Sequence, residues 1–235
     1  MRMGTGLLIG IMLLSGAVSV GAQVTYKTVT AKKKGVVSSA KMPVFRAKTP
    51  VAALANQTLF AFVKKGQTAF LKENSAPPKG FPVPDYSQEY IAKTHYNYAP
   101  RLISVEVGVS FYTGGAHPGY AVQCFNFGNI DGKVKRLGLL DLFSKKAEAT
   151  DTRQQIKDAL LNKLHSLKDI ASFVKDGTVT DLTNAQLDNF VILSDGLEFI
   201  FSPYEVGSWA EGTITVKLSV SELGSEFRKM LLFAR

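Results

Sequence analysis

Residues 102–127 read LISVEVGVSFYTGGAHPGYAVQCFNF, and they contain the clearest strand pattern of the chain. In its first half, valine or phenylalanine at every second position from 105 to 111 alternates with polar or small residues. Such alternation is typical of a β-strand with one buried face. A second strand-like run, residues 120–127, follows the heptapeptide at residues 112–118. The sequence therefore predicts a β-hairpin whose loop carries two glycines and a histidine.

Strand patterns continue on both sides of this hairpin. Residues 86–98 are aromatic and β-prone, and residues 133–137 follow the turn signal Asp131-Gly132. With the hairpin, these runs predict an antiparallel meander of four strands with one wet face. Three shorter strands are predicted closer to the N-terminus, at residues 26–30, 35–38 and 42–46.

Two amphipathic helices are predicted from apolar residues that recur near a 3.6-residue period. Thr49 is placed to cap the first helix, Pro50 suits its first position, and Asn74 marks its end. In the second helix Asp151 is the predicted cap. Its expected buried stripe comprises Ile156, Leu160, Leu164 and Leu167.

The C-terminal third of the chain contains shorter patterns. A second hairpin is expected where residues 190–193 and 197–201 flank Ser194-Asp195-Gly196. A last strand is expected at residues 213–220. Short helices at residues 169–174 and 183–187, and a terminal helix at residues 221–232, complete the prediction.

The order of these elements indicates the fold class. Because strands and helices occur in separate runs, the sequence favours an α+β fold over a doubly wound parallel sheet. We expect a two-part domain with antiparallel sheets, each packed by one or two helices. The first α+β subdomain is predicted to cover residues 23–118, including the Gly-Gly-Ala-His loop, and the second to cover residues 119–235.

Residues 1–22 have the pattern of a secretory signal peptide. Arg2 precedes an apolar run, and the small residues Val20-Gly21-Ala22 precede the predicted cleavage site. The alternative is an N-terminal anchor that is not cleaved. Cleavage before Gln23 leaves 213 of the 235 residues, with no transmembrane segment, and predicts a secreted or periplasmic protein.

Cys124 is the single cysteine of the chain, so an intrachain disulfide cannot form. It lies in a predicted strand, and no histidine is adjacent to it in sequence. A role as a small apolar side chain is therefore favoured over a role as a nucleophile.

The formal net charge of +9 is concentrated near the N-terminus. Residues 23–80 contain eleven Lys or Arg and one acidic residue, whereas residues 81–235 contain sixteen Lys or Arg and eighteen Asp or Glu. A basic surface suits an anionic envelope surface, or it is a solvated face that keeps the chain dissolved. Nucleic acid is not expected as a partner of an exported protein. The densest basic run is Lys32, Lys33 and Lys34.

Several short motifs occur in an order that resembles a known extracytoplasmic domain. They are Tyr112-Thr113-Gly114-Gly115-Ala116-His117, Phe125-Asn126-Phe127, Leu140-Asp141-Leu142-Phe143, Pro203-Tyr204-Glu205-Val206-Gly207 and Ala210-Glu211-Gly212. The chain is similar here to the domain shared by the lysozyme-sensing anti-sigma factor RsiV and the non-catalytic N-terminal region of the peptidoglycan deacetylase PdaC. This resemblance implies a two-part α+β fold and, from its best-understood member, lysozyme binding. We expect this chain to consist of that extracytoplasmic domain alone and to have neither anti-sigma nor deacetylase activity.

The Gly-Gly-Ala-His loop offers the first candidate binding residues. The backbone N–H groups of Gly114 and Gly115 can hold a carboxylate or phosphate, although turn geometry also explains two glycines. His117 can act as a metal ligand or general base, or can support the loop. Because no Asp or Glu lies within ten residues of His117, we predict no metal site.

Residues 202–212 form the second candidate binding loop. Trp209, the single tryptophan, can stack on a sugar ring, anchor a protein partner, or pin the loop to the sheet. Glu205 and Glu211 can form the carboxylate pair of a glycosidase if their oxygens lie roughly 5–9.5 Å apart. Tyr204 completes the set of candidate side chains on this loop.

Taken from the residues and the resemblance, the predicted function is that of a non-enzymatic binding protein of the cell envelope. The expected ligand is a cell-wall glycan or a lysozyme-like muramidase, and no cofactor or catalytic residue is predicted. The alternative is an envelope glycan hydrolase or esterase that uses Glu205, Glu211 or His117.

Overall fold

The computed structural model of the protein describes residues 24–74, 77–80, 86–98, 101–144 and 148–232. Within these ranges the chain forms two β-sheets together with helices, which confirms the predicted α+β class. The predicted signal peptide at residues 1–22 and its cleavage site lie outside the described residues.

The first sheet has six strands that follow one another in chain order. They are β1 (Val24–Lys33), β2 (Val36–Phe45), β3 (Tyr86–Tyr98), β4 (Leu102–Tyr112), β5 (Gly119–Ile130) and β6 (Lys133–Arg136). The predicted antiparallel meander corresponds to β3 through β6 and is confirmed. One pair differs from the antiparallel pattern, because β2 and β3 are parallel.

Residues 42–45 continue β2 and do not form the separate strand that the sequence predicts. Pairing with β1 extends to the partners Val24 and Phe45, whereas pairing with β3 ends at Lys41. Pro43 has no N–H group for a ladder hydrogen bond. It therefore lies beyond the stretch of β2 that has a strand on both sides.

Helix α1 (Pro50–Glu73) connects β2 to β3, as a parallel pair requires a long crossover. Its predicted ends are confirmed: Thr49 Oγ1 accepts a hydrogen bond from Ala52 N at 3.2 Å, and Asn74 Nδ2 donates to the carbonyl of Phe70 at 2.8 Å. Buried side chains of α1 share one core with those of β2 to β5. The helix therefore covers one face of the first sheet.

The second sheet is antiparallel and has the order β7 (Phe190–Leu193), β8 (Gly196–Phe201) and β9 (Ile214–Ser219). Its helices are α2 (Ala149–Ser166), α3 (Ser172–Lys175) and α4 (Asn184–Leu187). The predicted hairpin of β7 and β8 is confirmed. Three residues of the predicted α2 stripe are fully buried: Ile156, Leu160 and Leu164.

Two helix starts differ from the prediction. Helix α2 begins at Ala149, so Asp151 lies in its first turn and does not cap it. There the carboxylate still faces the positive end of the helix dipole. Helix α3 begins only at Ser172, because Asp169 and Ala171 have positive φ angles of 59° and 61° that a right-handed helix cannot contain.

The predicted terminal helix at residues 221–232 is wrong. Gly224 has a φ of 83°, which interrupts any regular helix. Phe227 then forms a β-bridge with Phe143, and Arg228 N donates to the carbonyl of Leu142 at 2.8 Å. Contacts with a distant part of the chain thus hold this segment in an extended conformation. Its only helical part among the described residues is a 3-10 turn at Lys229–Leu231.

The two sheets pack against each other, with β7 against β3, β4 and β5. Their contact contains an apolar group of Val122, Cys124, Val191 and Ile200. Cys124 is buried, and burial raises its pKa, which agrees with the predicted packing role. The predicted subdomain division after residue 118 falls in the turn between β4 and β5, and the first sheet continues to Arg136.

Candidate binding site

The two loops singled out in the sequence meet in an aromatic cleft formed by His117, Tyr204 and Trp209. The imidazole of His117 stacks on the indole of Trp209, with 4.3 Å between ring centroids and 17° between planes. The Tyr204 ring centroid lies 6.2 Å from that of Trp209. Its hydroxyl is 3.5 Å from His117 Nε2, at the outer limit of a hydrogen bond.

The Gly-Gly-Ala-His loop joins β4 to β5 and presents His117 to the cleft. Gly114 has a φ of 91°, which L side chains rarely adopt, so turn geometry requires glycine there. Gly115 is exposed, and a Cβ there would meet only the carbonyl of His117 at 3.6 Å. His117 Nδ1 lies 3.0 Å from the carbonyl of Pro118, which favours the tautomer with its proton on Nδ1.

Tyr204 stands on the second loop in a strained conformation. Its φ is 71°, in the left-handed region, and its N–H donates to the carbonyl of Gly207 at 3.0 Å. Such a backbone costs about 1–3 kcal/mol for a residue with a side chain. The side chain is nevertheless 58% exposed, so core packing does not compensate for the strain.

Glu211 holds the second loop together. Its carboxylate accepts hydrogen bonds from Ser208 N and Oγ, each at 2.9 Å, and from Ser172 N at 3.1 Å and Ser172 Oγ. These donors stabilise the ionised form and lower the Glu211 pKa to about 2. The carboxylate thus fixes the turn that carries Trp209 and attaches it to α3.

Glu205 bonds to Ser202, the residue that attaches the same loop to the first sheet. The Glu205 carboxylate accepts a hydrogen bond from Ser202 N at 2.5 Å, and Ser202 Oγ accepts one from Val122 N in β5 at 3.0 Å. Burial raises the pKa of Glu205 above its ordinary value. Both predicted carboxylates therefore form hydrogen bonds with the backbone of their own loop.

A cavity of about 300 Å³ adjoins the aromatic cleft. Trp209 forms part of its wall, together with the apolar rings of Pro118, Tyr120 and Pro203. Ser110 and Thr213 also line the cavity, and its exposed wall is almost entirely apolar. An apolar cavity with a few polar groups is the usual form of a small-ligand site. Tyr120 was not singled out in the sequence, because its contribution depends on how the two loops meet.

The basic run lies around the β1–β2 turn, at the edge of the first sheet and at the same strand end as the β4–β5 loop. Lys33 Nζ donates to the carbonyls of Leu71 and Asn74 at 3.2 and 3.3 Å, at the C-terminal end of α1. Lys32 and Lys34 are exposed. None of these lysines contributes to the aromatic cleft.

The described ranges contain neither a cluster of metal ligands nor a membrane-spanning helix. No group of three or more His, Cys, Asp or Glu side chains there is arranged to hold a metal ion. No helix in that part of the chain has both the length and the apolar character needed to cross a bilayer.

With this geometry the chain is an α+β protein whose two sheets place an aromatic cleft at their junction. Residues 140–221 match the model of DUF3298, a family of proteins of unknown function. This match includes the loop of Tyr204 and Trp209 but not the loop of His117. No curated protein matches the chain.

Solved structures show a similar architecture. The crystal structure of a DUF3298 family protein from Pseudomonas aeruginosa PAO1 aligns with a TM-score of 0.62 at 15% identity, covering 91% of this chain and 97% of that chain. A member of the DUF3298 family from Bacteroides fragilis NCTC 9343 aligns with a TM-score of 0.48 at 16% identity, covering 88% and 96%. The first of these likenesses shows a shared fold.

Proposed function

We propose that the protein is a secreted or periplasmic binding protein of the bacterial cell envelope that holds a cell-wall glycan in the aromatic cleft. The stacked rings of His117 and Trp209 beside the cavity carry this proposal. Aromatic faces pack against the apolar C–H faces of sugar rings, and nearby hydroxyl groups can bond to the sugar hydroxyls. Ser110 and Thr213 line this cavity, but its exposed wall is almost entirely apolar, so contact with the C–H faces of the sugar is the main interaction expected there.

The strained and exposed Tyr204 supports a binding role for the second loop. Strained residues concentrate at functional sites, where the surrounding structure holds them in place. A muramidase-like protein is the second candidate ligand, because an exposed aromatic side chain is a typical anchor in protein interfaces. The resemblance to the RsiV and PdaC extracytoplasmic domain favours a ligand of this kind.

The arrangement of the carboxylates favours binding over hydrolysis. A general acid at neutral pH requires a raised pKa, whereas that of Glu211 is lowered to about 2. Glu205 has a raised pKa, but its carboxylate accepts a hydrogen bond from Ser202 N in its own loop. We therefore assign both residues to the support of the cleft.

Binding to N-acetylglucosamine oligosaccharides and to insoluble peptidoglycan, measured by calorimetry and by co-sedimentation, tests the proposal. Replacing Trp209 with alanine should weaken binding at least tenfold, because a central aromatic anchor is removed. His165→Ala is the control, since His165 is an exposed ring side chain in the last turn of α2 and belongs to neither proposed site. Unchanged affinity in the Trp209 variant would contradict the glycan site.

Two further arms separate the alternatives. Binding to a muramidase but not to the glycan, with the same dependence on Trp209, would identify the protein ligand. Release of sugar fragments or acetate from peptidoglycan, lost when Glu205 and Glu211 are both changed to glutamine, would establish the hydrolase instead.

A further inference from the structure

One face of the first sheet combines exposed lysines with exposed apolar side chains. Strands β2 and β3 direct every second residue towards α1, namely Ala40, Met42, Tyr90 and Ala92, which are buried there. The residues between them point to the opposite side. Lys41 and Ile91 are register partners on that side, and Ile91 is 54% exposed. Lys93, two residues further along β3, is also exposed.

Strand β1 extends this surface to the edge of the sheet. Tyr26 is 47% exposed, and Lys41 Nζ lies 5.9 Å from the centroid of its ring. Every second side chain of β1 points to the same face of the sheet. Lys32, six residues after Tyr26, therefore lies on the same face as Tyr26 and Lys41. We call this surface the basic face and define it by Tyr26, Lys32, Lys41, Ile91 and Lys93.

Among the described residues, none of the three lysines of the basic face forms an ion pair with a carboxylate. The same holds for every Lys and Arg that the structure describes between residues 24 and 80. The second half of the chain differs, with pairs such as Lys157 with Asp181 at 2.8 Å and Lys217 with Asp195 at 2.6 Å. Unpaired like charges create a positive potential that attracts anionic partners.

Acidic residues near the face reduce this potential only in part. Glu89 is exposed on the same side of β3. Glu106 lies near Lys93, but it pairs with His95 at 2.7 Å. The face itself therefore carries Lys32, Lys41 and Lys93 against the exposed Glu89.

We propose that the basic face binds the surface of an anionic lipid membrane. Lysines near such a surface are attracted by the headgroup phosphates. Tyrosine and isoleucine side chains suit the boundary between headgroups and acyl chains. A phosphate polymer in solution would engage the lysines, but it would not require the exposed side chain of Ile91. The mixture of charge and apolar surface therefore favours lipid.

Co-sedimentation of the full chain with vesicles tests this proposal. Vesicles of phosphatidylglycerol and phosphatidylcholine are compared with vesicles of phosphatidylcholine alone, at low and high salt. The variant K32Q/K41Q/K93Q should bind the anionic vesicles on the order of 100-fold more weakly, about fivefold for each lysine. The control K133Q/K168Q/K229Q removes the same charge from exposed lysines elsewhere and should change binding far less.

The substitution Ile91→Thr distinguishes the lipid from other polyanions. It keeps a β-branched residue in the strand and should weaken vesicle binding severalfold, while binding to long-chain polyphosphate stays unchanged. Equal binding to neutral vesicles, or an equal loss in both triple variants, would overturn the proposal. So would polyphosphate binding that depends on the three lysines together with vesicle binding that is insensitive to Ile91→Thr. Circular dichroism verifies that each variant is folded.

Discussion

At the scale of single residues, Glu211 determines whether the aromatic cleft keeps its shape. Four donors from Ser172 and Ser208 surround its carboxylate, and two of these donors are backbone N–H groups. An acidic side chain near the start of a short helical turn can satisfy N–H groups that have no helical partner. Trp209 begins that turn, so its position depends on the ionised carboxylate.

Changing Glu211 to glutamine should lower the free energy of unfolding at pH 7 by about 1–2 kcal/mol, because charge-assisted hydrogen bonds are replaced by neutral ones. The folded-state pKa of about 2 is below the ordinary value of 4.5. The stabilisation by Glu211 is therefore complete above pH 4.5 and is lost as the pH falls towards 2. Urea unfolding measured at a series of pH values should show that the difference in free energy of unfolding between the wild type and the Glu211→Gln variant becomes smaller as the pH falls. Glu148→Gln is the control, since Glu148 makes no side-chain cap bond.

At the scale of the elements, alternation and capping predict the parts whose structure is decided locally. The β4–β5 hairpin, the caps of α1 and the β7–β8 hairpin depend on neighbours in sequence, and the structure confirms them. The segment at residues 221–232 resembles a helix in its apolar spacing, but its bridge to Phe143 involves a residue distant in the chain. Contacts between residues distant in the chain cannot be predicted from local patterns, and the cleft depends on such a contact. The two loops were predicted from the sequence, but the stacking of His117 on Trp209 was not.

Replacing Gly224 with alanine tests the structure of the C-terminal segment. The sign of the change in stability distinguishes a helix from the observed turn. In the interior of a helix, Gly→Ala stabilises by roughly 1 kcal/mol. At the observed φ of 83° the same change should instead destabilise by about 1 kcal/mol, since an added Cβ is disfavoured in the left-handed region. Steric overlap is not involved, as the nearest atom to that Cβ is Gln155 Nε2 at 3.6 Å. Gly115→Ala, where no positive φ is required, should be nearly neutral in the same thermal unfolding measurement.

At the scale of the whole molecule, a chain of buried hydrogen bonds joins the two sheets. Ser104 Oγ donates to Asn126 Oδ1 at 2.7 Å and accepts from Ile192 N at 2.8 Å, while Asn126 Nδ2 donates to the carbonyl of Phe190 at 2.8 Å. These side chains satisfy backbone groups of β7 that would otherwise be buried without partners. The sheets therefore depend on one another, and the cleft at their junction depends on both.

A substitution at Asn189 is the best test of whether the stability of each sheet depends on the other. Its Oδ1 accepts from Cys124 N at 2.8 Å, and its Nδ2 donates to the carbonyls of Val122 and Ile200 at 3.2 and 2.7 Å. Asn189→Leu keeps a similar volume but leaves these three backbone groups unsatisfied. The loss should be about 2–4 kcal/mol in the free energy of unfolding.

Two probes follow this loss in different parts of the molecule. Trp209 is the single tryptophan and reports on the second loop, whereas far-ultraviolet circular dichroism reports on both sheets. In the wild type the two denaturation curves should coincide, because the sheets unfold together. In Asn189→Leu the fluorescence change should precede the change in dichroism, as the sheets lose their shared hydrogen bonds. The exposed Asn162→Leu should leave both curves in place, and separate transitions already in the wild type would show that the two sheets unfold independently.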